Sequence, residues 1–194
     1  EEMLYYADGW GALEEERRRI AGEDPMCAYL DFGKLAEEQM PWLSLMQTGS
    51  IGTHTPQDPP ISYMCQPEWT QHLKKAVQEK DQDNWFAWLQ LGLNTFIEKD
   101  YERAEAMLEK SVEKQVSPWA LYALAILNRD MGNHSKEVSY MLQAWELRSD
   151  DVSLAKQTLR CLYENCCFEE LKRVYEGMSC VLQEEPRCKV YYAF

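Results

Sequence analysis

The chain has 194 residues, 45% of them hydrophobic, which is enough for one or two domains with a sizeable core. Thirty-three acidic residues against 20 Lys and Arg leave a formal net charge of −13. That balance excludes a phosphate backbone as partner, since such affinity comes from counterions released by clustered cations. No run of about 18 apolar residues is present for a membrane span, and Glu1-Glu2-Met3-Leu4 lacks the basic region and apolar core of a signal peptide.

Ala12 to Ile20 reads as a short charged helix closed by Gly22, with Asp24-Pro25 opening a turn. Within it Glu14-Glu15-Glu16 precedes Arg17-Arg18-Arg19, the pattern of a solvated face that pairs with itself. Phe32 to Leu45 is expected to form a second helix, broken or kinked at Pro41. Gln47 to Gln66 then reads as irregular, with Gly49, Gly52, Pro56, Pro59 and Pro60. A stretch of that length inside a domain is expected to be pinned to something, and Trp42, Tyr63 and Met64 supply the apolar anchors. Residues 1–66 are therefore read as an irregular, partly helical segment that packs on the helices C-terminal to it.

From 67 onward the pattern is continuous helix. The first, 67–80, carries Trp69, Leu73, Ala76 and Val77 on one face. Six more are predicted near 85–98, 101–115, 118–131, 135–149, 151–164 and 168–183. Ser117-Pro118 supplies an N-cap and a proline at the first helical position, Ser149-Asp150-Asp151 supplies capping oxygens, and Gly132-Asn133 can adopt the left-handed conformation that ends a helix.

Tyr101, His134 and Phe168 lie 33 and 34 residues apart, each at the turn between two helical patterns. A fixed period of this size signals a stack of helical hairpins. The spacing resembles the tetratricopeptide repeat, whose units are two antiparallel helices. Trp88, Leu91 and Gly92 reproduce its W-x2-L-G, and Ala104 and Leu108 match the small and bulky positions of the second helix. The second copy offers Leu121, Leu124, Ala125, Met141 and Ala144; the third offers Ala155, Thr158, Leu159, Leu171, Tyr175 and Met178. Thr95 and Glu137 depart from the pattern, standing where an aromatic and an alanine are usual. The resemblance implies an all-α fold, a right-handed superhelix of repeats at about 85–117, 118–150 and 151–185, with a fourth starting at 186–194. Pro186 would open that fourth unit as Pro118 opens the second, so the chain is expected to be part of a longer polypeptide.

Such repeats present the first helix of each hairpin to a groove. The resemblance places Phe86, Leu89, Leu93, Phe96 and Ile97 there from the first unit, Trp119, Tyr122, Ile126, Arg129 and Asp130 from the second, and Ser153, Lys156, Arg160, Tyr163 and Glu164 from the third. An apolar patch of this kind is covered in a soluble monomer. Residues 1–66 folding back would cover it, and so would a partner helix or extended peptide. Arg129, Lys156 and Arg160 form a basic patch suited to an acidic or C-terminal carboxylate group, or one balanced by Asp130 and Glu164. The Lys/Asn set of repeats that bind chaperone tails is missing, because Leu89 and Leu93 occupy those positions.

Seven cysteines are an odd number, and no pair has CxxC spacing. They read as reduced apolar fillers in a cytoplasmic protein, with a strained vicinal pair at Cys166-Cys167 as the alternative. No HExxH, GxSxG, GxGxxG or Walker sequence occurs, and His54, His72 and His134 are scattered. Among so many carboxylates a pair such as Asp8 and Glu14 is expected by coincidence. No catalysis and no cofactor are expected. The expected role is a non-catalytic interaction or scaffold module whose partner is a protein, a peptide or another domain of the same chain. A second resemblance, carried by Tyr6–Glu14 and Pro41–Gly49, is to large bacterial proteins in which a sandwich domain similar to sugar mutarotases precedes such repeats. It implies a helical accessory domain of a carbohydrate-active protein whose catalytic or sugar-binding domain lies upstream; sugar stacked on Trp10 or Trp42 would favour that reading.

Overall fold

The computed structural model describes residues 10–24, 31–61, 64–78 and 83–193, and for Trp10 only its place in a helix. Expectations resting on Asp8, Pro25, Cys27, Tyr63, Lys80, Phe194 or the Trp10 ring lie outside the described residues. Within them the fold is all-helical, with no strand. The helices are α1 (Trp10–Ala21), α2 (Met40–Thr48, entered through a 3-10 turn at Glu37–Gln39), α3 (Pro67–Gln78), α4 (Trp85–Ile97), α5 (Tyr101–Lys114) and α6 (Pro118–Asp130). They continue as α7 (His134–Leu147), α8 (Val152–Glu164), α9 (Phe168–Glu176), α10 (Cys180–Gln183) and α11 (Pro186–Ala193).

Two predicted helices are shorter than expected, for local reasons. The one read from Phe32 starts only at the 3-10 turn, because Gly33 takes a φ of 70° and its N–H is bonded to Asp31 Oδ1 at 2.9 Å. Pro41 falls in the first turn of α2, where no helical N–H is lost, and so produces no break. The helix read over 168–183 stops at Gly177, and Ser179 starts α10 by accepting the Leu182 N–H.

The starts of α4, α6 and α8 are set by side-chain oxygens. Asn84 Oδ1 accepts Ala87 N–H at 2.9 Å, Ser117 Oγ accepts Trp119 and Ala120 N–H, and Asp151 Oδ1 accepts Leu154 N–H at 2.8 Å. The ends of α4, α6 and α8 share a single device. Lys99, Gly132 and Cys166 sit at φ 63°, 75° and 57°, and the next residue's N–H returns to a carbonyl five residues back: Asp100 to Thr95, Asn133 to Asn128, Cys167 to Leu162. These are three equivalent Schellman turns. They place Tyr101, His134 and Phe168 at the first residue of α5, α7 and α9.

Helices α4 with α5 and α6 with α7 form the most extensive pairs; α5 packs on α6, α7 on α8, and α11 on α8 and α9. The first pair runs antiparallel: Ser111 Oγ donates to Trp85 O at 2.7 Å, while Thr95 lies against Met107. Gly92 permits its closeness, since a Cβ there would lie 2.7 Å from Leu108 Cδ2. One core joins α1–α6, with Leu13, Trp42, Leu73, Phe86 and Leu108 essentially inaccessible; a second joins α6–α11 around Met141, Leu159 and Leu162. On α1, Arg17 and Arg18 both pair with Glu14 at 2.8 Å, and Arg19 pairs with Glu16 at 2.6 Å. Cys65, Cys161, Cys166, Cys167, Cys180 and Cys188 are free thiols. Among the described residues no helix is long and apolar enough to cross a membrane.

Candidate functional site

Helices α4, α6 and α8 expose faces to one shared groove, and their spacing selects the side chains. On α4, Leu89, Leu93 and Phe96 recur at four and three residues; on α6, Trp119, Tyr122, Ala123, Ile126 and Arg129 do the same. With Gln157 and Arg160 from α8 and Pro60 from the irregular segment, they line a cavity of about 440 Å³. That volume falls in the range of about 300–1,000 Å³ typical of ligand sites. The lining is apolar except at the α8 side, where Arg129, Gln157 and Arg160 stand.

Two aromatic residues of the lining bear polar atoms. Burial pushes the Tyr122 phenol upward, against the opposing effect of the Arg129 and Arg160 guanidiniums, so the hydroxyl stays neutral at physiological pH. Trp119 Nε1 is buried without a hydrogen-bond acceptor among the described residues. The cations are already matched: Arg129 donates to Asp130 at 3.2 Å, and Arg160 to Glu164 at 2.7 Å. Glu137, almost fully buried, borders the same end of the groove and accepts from Asn165 at 3.2 Å.

The segment between α2 and α3 straps the other end. Asn84 Nδ2 donates to Gly52 O at 3.2 Å, and Asn94 Nδ2 to Met64 O at 2.7 Å. The His54 ring stacks on Phe86 with centroids 4.6 Å apart, and its Nε2 donates to Pro59 O at 3.0 Å. Arg148, at the end of α7, reaches across to Gln57 O.

Of the residues expected in the groove, the cavity brings together Leu89, Leu93, Phe96, Trp119, Tyr122, Ile126, Arg129 and Arg160. Four stand apart. Phe86 is sealed beneath His54, and Ile97 is solvent-exposed past the end of the cavity. Lys156 is bound to Glu185 of the α10–α11 junction at 2.9 Å. Tyr163 packs on Phe168 and Tyr191. The covering of the first hairpin is therefore divided: the strap seals Phe86, while Leu93 and Phe96 are half-buried. Sequence spacing passes over Ala123 and Gln157, one helical turn from Trp119 and near Arg160, and cannot assign Pro60, because nothing local fixes where an irregular segment lands.

Trp42 cannot serve as a sugar platform. Trp42 is fully buried, edge-on to Trp69 at 5.9 Å, and offers no ring face. Among the described residues no group of His, Cys, Asp and Glu is arranged to hold a metal ion. No protein-family model matches the chain, and no curated protein matches it.

Proposed function

We propose that this chain is a non-catalytic interaction module, a right-handed superhelix of tetratricopeptide-like hairpins whose groove binds a segment of another protein or of another domain of the same chain. The observation that carries the reading is the open apolar cavity across α4, α6 and α8. Large half-buried side chains such as Leu93 and Phe96 gain by covering, and aromatic anchors are what concentrate binding energy in an interface. The repeat reading is supported by the three equivalent Schellman turns and by burial of Leu91, Ala104, Leu124, Ala125, Ala144, Ala155 and Leu159 at the positions the repeat assigns to packing.

The test is a displayed peptide library selected against the chain, with each enriched peptide then titrated against wild type and Leu93→Trp, a variant whose larger ring fills the cavity. Enriched peptides should lose at least about tenfold in affinity, the equivalent of about 1.4 kcal/mol. Peptides that bind both proteins equally, or no enrichment at all, would refute the reading.

A further inference from the structure

Resting on the groove's role as a binding site, we infer that the bound segment carries one carboxylate side chain, Asp or Glu, beside its apolar anchors, and that Arg129 and Arg160 hold that carboxylate. The placement of charge, the unused donors and the exposure of the α8 end carry this chemistry together.

Among the described residues that line the cavity, Arg129 and Arg160 are the charged ones, and no carboxylate belongs to its wall. Asp130 and Glu164, which pair with them, lie outside that wall. Glu137 borders an adjoining crevice, where its Oε2 accepts Asn165 Nδ2 at 3.2 Å and lies 3.4 Å from His134 Nδ1. Tyr122, also in the wall, lies within the field of both guanidiniums, so the two cations converge on one part of the cavity. An occupant therefore meets two positive charges at the α8 end and an apolar surface of Leu89, Leu93, Phe96, Trp119 and Ile126 elsewhere. Apolar walls of low dielectric focus such a field.

Both cations keep donors to spare among the described residues. Arg160 gives Glu164 its Nε–H, which leaves the four N–H of its terminal nitrogens. Arg129 gives Nε and Nη2 to a single oxygen of Asp130, which leaves Nη1. The side chains in these pairs are 34% to 44% accessible, and exposed pairs of this kind contribute little. An incoming carboxylate meets the guanidiniums through charge-assisted, bidentate bonds, the strongest class open to this wall.

One carboxylate is the limit. A chain of net charge −13 repels an acidic run at long range, whereas a single charge set among apolar residues adds little repulsion. The partial exposure of Arg129 and Arg160 leaves the cationic end open to solvent. An open end lets the bound backbone run on, which selects a side chain within the segment over a terminal carboxylate.

The probe is a library of random dodecapeptides displayed through their C-termini, so that only side chains supply carboxylates. Enriched peptides should carry Asp or Glu within about two residues of a large apolar residue. Each is then synthesised with an amidated C-terminus and titrated by fluorescence anisotropy against the intact chain, beside its counterpart with Asn for Asp or Gln for Glu. That exchange should weaken binding about tenfold in about 50 mM NaCl, and less than about threefold in about 0.5 M NaCl. Arg160→Gln should bring the acidic peptide to within about twofold of its amide counterpart, whose own affinity stays unchanged. Arg160→Glu should reverse the preference, so that a Lys-exchanged peptide binds tightest. Thermal melts establish that the variants fold. Enrichment of apolar peptides without an acid, or an acid whose exchange costs nothing, overturns the inference; if those peptides still depend on Leu93, the groove reading stands. An acid preference that survives both Arg129→Gln and Arg160→Gln also overturns it. So does a peptide ending at its apolar anchor whose free terminal carboxylate replaces the side chain at no cost. If no peptide is enriched, both readings fail.

Discussion

Replacing Gly92 by alanine probes the close approach of α4 to α5. A Cβ at this position would lie 2.7 Å from Leu108 Cδ2, 2.8 Å from Cγ and 3.3 Å from the Leu108 backbone nitrogen. Leu108 is completely buried in the core. In an open helix, Gly→Ala would stabilise by about 1 kcal/mol through propensity alone. Overpacking of this severity costs about 1–3 kcal/mol. With contacts this short on a completely buried side chain, the upper half of that range applies, for a net loss of about 1–2 kcal/mol. Thermal unfolding should then fall by about 2–8 °C, at about 2–4 °C per kcal/mol for a chain of this size. The background variant Leu108→Ala removes the clashing atoms at its own cost of about 2–5 kcal/mol. In that background Gly92→Ala should become neutral or stabilising, giving a coupling of about 2 kcal/mol in a double-mutant cycle from urea melts. Additive losses, or a Gly92→Ala that stabilises the wild type, would refute the close packing of α4 on α5.

Lys99→Gly and Cys166→Gly relieve left-handed backbone at non-glycine residues and should each stabilise by about 0.5–1 kcal/mol in denaturant melts, whereas Gly132→Ala should destabilise by a similar amount. Gln90 is fully inaccessible, and neither side-chain amide atom has a partner among the described residues; the near-isosteric Gln90→Met should raise stability by about 1–2 kcal/mol by the same measurement. Asp83 ties the start of α4 to the end of α5, and its carboxyl is held below the usual range first by the Lys114 ammonium at 2.5 Å and then by the Trp88 indole N–H. Because the folded pKa is depressed, its contribution is complete above the ordinary carboxylate value of about 4 and is lost as pH falls through the lowered folded value. Asp83→Asn should therefore cost about 0.5–1 kcal/mol near pH 7, and the two proteins should converge near pH 2.

The helices were legible in the sequence because their signals are local. Ser117 and Asp151 are caps within three residues of the N–H groups they satisfy, and the apolar period of α4–α9 is read within single helices. Two of the three Schellman turns were not legible, since Lys99 and Cys166 occupy a conformation that their residue types do not advertise. The groove split along the same line. Leu89, Leu93, Trp119, Tyr122 and Ile126 are set by helical periodicity, but the exits of Phe86, Lys156 and Tyr163 depend on contacts with His54, Glu185 and Tyr191. Those contacts join distant parts of the chain, and periodicity carries no information about them. Trp42 illustrates the same limit: its residue type suits a stacking platform equally well as a core, and only Trp69 packed edge-on against it decides between them.

The central claim is that the cavity across α4, α6 and α8 is where this chain engages a partner, and the Trp119 indole reports on it directly. In a 15N correlation spectrum each of the seven tryptophans contributes one indole signal, and Trp119→Phe identifies the one at issue. On titration with a library-selected peptide, the Trp119 indole signal should shift as the occupant packs against its ring, while the fully buried Trp42 stays put. A peptide that binds and shifts other indoles while leaving Trp119 unmoved would contradict the claim.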